Sequence, residues 1–179
     1  MDDLRSSTAP RRGEPDPVAP VDAAPLVYDL LTGLVSREVF DAQLTRVLER
    51  TWRTPTSVAV LLLHVGDLRL INDRFGRLIG DEVLAAAAAR LRSCLREVDL
   101  VARVDAATFG VILESDLRET RSEVMAAEVS NRLVSLFTEP LSTTLTDLAI
   151  DASIGVAVAD AASLHAEELI GRAELAVTQ

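Results

Sequence analysis

A pair of apolar runs separated by three residues constrains the fold more than any other stretch of this sequence. The runs are Leu100 to Val104 and Thr108 to Leu113, and the segment between them is Asp105-Ala106-Ala107. Two β-prone runs joined by so short a connection predict a β-hairpin that displays the connecting residues at its tip. Arg96 and Asp99 stand just before the first run. The sequence therefore predicts a hairpin preceded by a guanidinium and a carboxylate three residues apart.

Apolar periodicity on either side of the hairpin predicts the other elements. The continuous run from Ser57 to Leu63 is typical of a central strand that is buried on both faces. Helical spacing and end signals predict four helices: from an N-cap at Ser36 to about Thr51, from Ile79 to Arg96, from Leu117 to Phe137, and after an N-cap at Ser163. Two further strands are predicted at Leu141 to Leu145 and Leu148 to Ala159. This order favours an α+β domain, with a mainly antiparallel central sheet flanked by helices.

Composition excludes several classes of function. The formal net charge is -10, which disfavours binding to a nucleic acid backbone or an anionic membrane. The single cysteine, Cys94, permits no intramolecular disulfide, and its place on an apolar-patterned helix predicts an unreactive buried thiol. No apolar run is long enough to span a bilayer, and the N-terminus lacks the pattern of a signal peptide. We therefore expect a cytoplasmic protein.

The first 26 residues differ from the rest of the chain. They hold five of the seven prolines, mixed with charged residues and alanine. Such a segment buries too little apolar surface to offset the entropy of ordering it. We expect a disordered proline-rich tail at residues 1–26, or alternatively a short docking peptide, followed by one folded domain at residues 27–179.

Several segments resemble the motifs of GGDEF domains, the diguanylate cyclase family. The run Asp29-Leu30-Leu31-Thr32-Gly33-Leu34, followed by Arg37 and Phe40, is similar to the family's Asp-x-Leu-Thr-Gly-Leu-x-Asn-Arg-x-x-Phe motif. The strand Ser153-Ile154-Gly155-Val156-Ala157 also resembles a family strand. The family's hairpin signature is Gly-Gly-Asp/Glu-Glu-Phe, of which this chain keeps Phe109 alone. The resemblance implies the nucleotidyl-cyclase-like fold for the chain from about Tyr28 onward.

The same resemblance implies that the chemistry is lost. The family's two metal-binding carboxylates correspond to His64 and Ala107, and its adjacent glutamate corresponds to Thr108. Magnesium requires oxygen ligands such as carboxylates. His165 and Cys94 are the only other histidine and thiol, so no zinc site is indicated either. We expect a pseudoenzyme with no catalytic residue, metal or cofactor.

A ligand site is nevertheless implied by Arg96 and Asp99. An Arg-x-x-Asp placed five residues before the signature resembles the family's inhibitory site for cyclic di-GMP. An arginine fork suits guanine O6 and N7, and a carboxylate accepts from guanine N1–H and N2–H. Arg118 and Arg121 are candidates to contact the phosphates. The alternatives are a solvated pair at the end of a helix and a partner of that helix's C-terminal dipole.

A second nucleotide site is implied by Asn72 and Asp81, which match the family positions that bind the guanine of GTP. Alternatively, both residues cap turns before helices. The leading hypothesis is a catalytically inactive GGDEF domain that acts as a cyclic di-GMP receptor. The competing hypotheses are a nucleotide-independent module for protein interaction or dimerisation, and a GTP-sensing pseudoenzyme.

Overall fold

The strand at Thr56–Val65, β1, forms the centre of the sheet, where strands pair with both of its edges. Seven consecutive residues, 57 to 63, are buried. The uninterrupted apolar run predicted this arrangement, because a strand covered on both faces has no solvent-facing positions for polar residues. The prediction for β1 is confirmed.

The structure is a computed structural model that describes residues 27–51, 53–54, 56–116, 122–160 and 165–177. The predicted tail at residues 1–26, the predicted N-cap Ser163, and Arg118 and Arg121 lie outside the described residues. The described helices are α1 Arg37–Thr51, α2 Leu68–Phe75, α3 Arg77–Cys94, α4 Ser122–Phe137 and α5 Ala166–Val177. The other described strands are β2 Leu100–Asp105, β3 Thr108–Asp116, β4 Leu141–Ser142, β5 Asp147–Leu148 and β6 Ala152–Asp160. None of the described helices is both long and apolar enough to cross a bilayer.

The main sheet has the strand order β2-β3-β1-β6, and each neighbouring pair is antiparallel. The predicted hairpin is formed by β2 and β3, in which Arg103 pairs with Phe109 and Asp105 pairs with Thr108. The register shifts between Arg103 and Asp105. The short strands β4 and β5 pair with each other in a separate two-stranded sheet.

Helices cover both faces of the main sheet. On one face, α1 and α5 pack against the alternate β1 residues Val58, Val60 and Leu62. On the other face, α3 and α4 pack against Ala59, Leu61 and Leu63. This alternation follows from the two-residue period of a β-strand. The predicted α+β class, with a mainly antiparallel sheet between helices, is confirmed.

Three details differ from the prediction. The strand predicted from Leu141 to Leu145 is only two residues long, Leu141–Ser142. The strand predicted from Leu148 to Ala159 is interrupted, because Leu148 pairs with Leu141 in the small hairpin and β6 begins only at Ala152. Between them, the carbonyl of Asp151 accepts a hydrogen bond from Gly66 N–H at 2.8 Å. The sequence analysis also made no prediction for α2, a helix of eight residues in which only Ile71 is buried.

Candidate functional site

The hairpin tip, defined as Asp105, Ala106 and Ala107, is a tight turn built without glycine. The Oδ1 atom of Asp105 accepts a hydrogen bond from Ala106 N–H at 2.7 Å. None of the three residues has a positive φ. Because no residue of the tip needs a positive φ, side chains are accommodated here without backbone strain. The tip presents one carboxylate and two methyl groups.

The end of β1 lies directly beside the hairpin tip. Val65 N–H donates a hydrogen bond to the carbonyl of Ala107 at 2.8 Å. His64 pairs in register with Thr108, and its Nδ1 atom lies 3.1 Å from Thr108 Oγ1. The three positions that the family resemblance singled out for chemistry, His64, Ala107 and Thr108, are therefore neighbours in space.

These neighbours do not form a magnesium site. They offer an imidazole, a methyl group and a hydroxyl, whereas Mg²⁺ is bound through carboxylates, carbonyls and water. In the described part of the chain, no group of three His, Cys, Asp or Glu side chains is arranged to hold a metal ion. The residues present therefore do not fit the metal that the resemblance implies at this position.

An open groove of about 930 Å³ runs between the hairpin tip and α2, and we call it the edge groove. Its lining includes Asn72, together with the charged residues Asp73, Arg69 and Arg77. Asp81 is exposed and is not among the lining residues. The structure thus brings one of the two predicted guanine contacts to the groove and leaves the other outside it.

Asn72 and Asp81 do not cap helices, so that alternative interpretation was wrong. Asn72 lies inside α2, and Asp81 lies inside α3, which begins at Arg77. The half-buried side chain of Asn72 packs against the backbone of Gly80. A Cβ atom at Gly80 would overlap Asn72 Oδ1 and would lie 3.0 Å from its Cγ. The missing side chain at Gly80 therefore allows α2 and α3 to pack closely and leaves room for the Asn72 amide.

The turn at residues 96 to 99 connects α3 to β2, and we call it the Arg96–Asp99 turn. The Oδ2 atom of Asp99 accepts a hydrogen bond from Arg96 N–H at 2.8 Å, and Asp99 N–H donates to the carbonyl of Arg96 at 3.0 Å. The side chain of Arg96 is exposed and that of Asp99 is half-buried. Within the described ranges, no hydrogen bond or ion pair involves the Arg96 guanidinium. The predicted alternative of a solvated Arg–Asp ion pair is therefore not what this turn contains.

Arg132 of α4 joins this region, and the sequence analysis did not predict it. Burial raises the pKa of the Cys94 thiol, more than the Arg132 guanidinium lowers it, and the charge of Asp99 raises it further. The prediction of a buried thiol was wrong, because Cys94 is only half-buried. Since the thiolate is the reactive form of cysteine, the raised pKa still favours low reactivity. Arg132 therefore acts on Cys94, the last residue of α3, whereas Arg118 and Arg121 lie outside the described residues.

A cluster of polar residues that the sequence analysis did not predict contacts the hairpin tip. Arg103 Nη1 lies 3.1 Å from Asp29 Oδ1, and Arg103 Nη2 donates to the carbonyl of Ala106 at 2.8 Å. Asp29 also accepts hydrogen bonds from Thr32 N–H at 2.8 Å and from its hydroxyl at 2.7 Å. Burial raises the pKa of Asp29, but the hydrogen bonds from Thr32 and Arg103 outweigh it and leave the pKa below its ordinary value. The Asp-x-Leu-Thr motif was the available signal for this cluster.

Comparison with known proteins agrees with this geometry. The family described as diguanylate cyclase, GGDEF domain, matches residues 26–179. The cyclic di-GMP phosphodiesterase NbdA of Pseudomonas aeruginosa is 34% identical over 152 residues, which are 85% of this chain and 19% of NbdA. The diguanylate cyclase TpbB of the same organism is 34% identical over 145 residues, which are 77% of this chain and 32% of TpbB. The chain thus spans a third or less of the length of these two relatives.

A solved structure gives the same result for the fold. A sensory box/GGDEF family protein from Caulobacter crescentus has a TM-score of 0.77 and 28% sequence identity to this chain. The match covers 84% of this chain and 95% of the other. The residue motifs, the sheet order and the extent of the family match agree, and the chain belongs to the GGDEF domain family.

Proposed function

We propose that this chain is a catalytically inactive GGDEF domain that acts as a cyclic di-GMP receptor, with Arg96 and Asp99 as its primary contacts. One observation carries the proposal: the exposed guanidinium of Arg96 has no partner among the described residues, while Asp99 is held in the same turn by the Arg96 backbone. A free guanidinium beside an ordered carboxylate is a donor–acceptor pair that is preorganised to bind a planar ligand.

Guanine has the complementary groups. Its O6 and N7 atoms accept from an arginine fork, and its N1–H and N2–H groups donate to a carboxylate. The backbone bond from Arg96 N–H occupies Asp99 Oδ2, which leaves Oδ1 to accept from the base. Arg132, whose charge acts on Cys94 at the end of α3, is a candidate to contact a phosphate. The names of NbdA and TpbB place both relatives in the breakdown or synthesis of cyclic di-GMP.

The proposed loss of activity rests on the end of β1 and the hairpin tip. Phosphoryl transfer needs a divalent ion that bridges the phosphate oxygens and neutralises developing charge. The methyl group of Ala107 and the imidazole of His64 do not supply the oxygen ligands for that ion. The Asp105 carboxylate also places a negative charge at the tip, where a triphosphate would be repelled.

Isothermal titration of the full chain with cyclic di-GMP tests the receptor function. Because a good bidentate contact contributes about 1–3 kcal/mol, Arg96→Ala is expected to weaken binding by roughly 5- to 150-fold. Arg46→Ala is the matched control, since Arg46 is an exposed arginine on α1, the helix on the opposite face of the sheet. No measurable heat with the wild type, or equal affinity for Arg96→Ala and wild type, would contradict the proposal. Conversion of GTP to cyclic di-GMP in the presence of Mg²⁺ would contradict the proposed inactivity.

A GTP-sensing function is the second candidate, because Asn72 still lines the edge groove. An amide can donate to and accept from a guanine edge. If GTP binds here, excess GTP raises the melting temperature, and Asn72→Ala removes the increase while Arg96→Ala does not. An unchanged melting temperature with GTP, with and without Mg²⁺, would exclude this candidate.

A protein-interaction or dimerisation module is the third candidate. The turn that precedes α1 exposes several large apolar side chains, Val27, Tyr28, Leu30 and Leu31. Neighbouring exposed apolar residues are a common mark of an interaction surface. Capture of a partner that is abolished by Leu30→Ser, yet unaffected by Arg96→Ala and by added nucleotide, would favour this function over the receptor.

A further inference from the structure

A second cavity lies below the hairpin tip, on the face of the sheet that α1 and α5 cover. Its volume is about 250 Å³. Four buried apolar residues, Phe40, Leu62, Val104 and Ile170, form part of its lining. A concave apolar surface with a few polar groups is the usual composition of a small-molecule site. The cavity is smaller than the roughly 300–1,000 Å³ of sites for drug-sized ligands, so its ligand would be small.

The polar lining of this cavity includes residues that distinguish the chain from its family. His64, Asp105 and Thr108 stand where the family pattern has aspartate, glycine and glutamate, and all three line the cavity. His64 and Thr108 contact each other through the 3.1 Å distance between Nδ1 and Oγ1. The replacement at His64 removes a metal ligand of the family pattern, and together with the replacements at Asp105 and Thr108 it changes the polar groups of this cavity.

The charges on the lining favour a cation. Asp105 and Glu174 contribute two carboxylates. Arg37 contributes a guanidinium, but its Nε atom lies 3.1 Å from Asp41 Oδ2 in an i,i+4 ion pair. The hydrogen bond from Ala106 N–H fixes Asp105 Oδ1 and leaves Oδ2 available. With Arg37 paired, the two carboxylates give the lining a net negative charge.

We propose that this cavity binds a small protonated amine with an apolar body. The apolar part of the ligand packs on Phe40, Leu62 and Ile170, and its ammonium group lies between Asp105 and Glu174. An ammonium group has three donors and no acceptor, so it suits two carboxylates better than a hydroxyl or an anionic head group does. The site is independent of the Arg96–Asp99 turn, which follows α3 on the opposite face of the sheet.

Three probes with the same phenyl body test the proposal: phenethylamine, 2-phenylethanol and 3-phenylpropanoate, which carry a cationic, a neutral and an anionic head group. Each is titrated into the full isotope-labelled chain at about pH 8, where an ordinary imidazole is neutral. We expect NMR shift changes at Val104, Thr108 and Ile170, with the amine binding tightest and the anion weakest. Absence of these shifts at millimolar amine, shifts scattered over the surface, or equal binding of all three probes would overturn the proposal.

Isosteric variants test the role of each carboxylate. Asp105→Asn keeps the oxygen that accepts from Ala106 N–H, and Glu174→Gln changes an exposed residue of α5, so both variants keep the surrounding contacts. Since a partly exposed charge pair contributes up to about 1 kcal/mol, each variant is expected to weaken amine binding about two- to fivefold. Glu167→Gln removes the same charge from α5 outside the cavity and is the matched control. An equal loss in Glu167→Gln, or no loss in either cavity variant, would show that these carboxylates do not bind the ammonium group.

Discussion

Close packing restricts the glycines inside this domain, whereas neither packing nor backbone conformation requires glycine at its hairpin tip. A Cβ atom at Gly155 of β6 would overlap the carbonyl oxygen of Ala173 and would lie 2.7 Å from Val177 N. At the tip, by contrast, Asp105 and Ala106 occupy the glycine positions of the family signature without a positive φ. The fold therefore needs the interior glycine and does not need the glycines of the signature. Retention of the fold is thus compatible with replacement of every signature residue except Phe109.

The largest effect that tests this contrast is expected for Gly155→Ala. The clash is with backbone atoms of α5, which cannot move without displacing the helix from the sheet. We expect a loss of about 3 kcal/mol or more in the free energy of unfolding, measured by urea denaturation. Gly171→Ala is the control, because nothing lies within 4 Å of the Cβ position in that helical glycine. The control is expected to gain roughly 0.5–1 kcal/mol from helix propensity. Equal stability of Gly155→Ala and wild type would show that the packing of α5 on β6 does not require glycine at this position.

The second prediction sharpens the contrast within the hairpin, since the ion pair below the tip belongs to the fold. The side chains of Arg103 and Asp29 are 17% and 25% exposed, so water screens their pair less than a surface pair. Asp29→Asn is expected to cost about 2 kcal/mol at pH 7, because charged hydrogen bonds are lost. The pKa of Asp29 is lowered in the folded state. The contribution is therefore present above the unfolded pKa and disappears as the pH falls through the folded pKa.

Urea denaturation of wild type and Asp29→Asn between neutral pH and about pH 3 measures this dependence. The difference in stability between the two proteins should become smaller toward the acidic end of the range. Glu168→Gln is the control, since its pair with Arg172 is exposed and contributes no more than about 0.5 kcal/mol. A difference between wild type and Asp29→Asn that is independent of pH would show that the charge of Asp29 is not what stabilises the turn.

The third prediction uses a double-mutant cycle on α2 and α3. Gly80→Ala places its Cβ against the Asn72 amide, so the side chain must rotate, at an expected cost of about 1–2 kcal/mol. In an Asn72→Ala background the obstacle is gone, and Gly80→Ala should stabilise the protein by up to about 1 kcal/mol through helix propensity. Denaturation of the four proteins gives the coupling energy. The same sign for Gly80→Ala in both backgrounds would show that Asn72 is not the constraint.

The fold was largely predictable because most of its signals are local. The two-residue period, the helical spacing and the short hairpin connection each depend on neighbouring residues. The break before β6 was missed because the alternation of apolar residues continues through Ile150. Leu148 instead pairs with Leu141, and the carbonyl of Asp151 accepts a backbone hydrogen bond from Gly66. Neither of these long-range contacts leaves a local pattern in the sequence.

The candidate site was less predictable, since its contacts join distant parts of the sequence. Motif spacing identified Arg96, Asp99 and Asn72, but only the structure shows which residues contact Asp99 and Asn72. It did not identify Arg132 of α4, whose charge acts on Cys94 at the end of α3. The contact of Arg103 with Asp29 spans 74 positions of the sequence. Such residues are recognisable only once the packing of the helices and the hairpin is known.

The smallest expected effect belongs to the tip itself and is the most direct test of the opening contrast. Ala106→Gly restores a signature residue where the backbone does not require glycine. Because glycine increases the conformational entropy of the unfolded chain, the variant should lose about 0.4–1 kcal/mol of stability, measured by urea denaturation. A gain in stability would instead reveal backbone strain at the tip. The variant should also convert no GTP with Mg²⁺, since Ala107 and His64 still lack the oxygen ligands for the ion. Turnover in this variant alone would mean that flexibility of the tip, rather than the absent carboxylates, limits the chemistry.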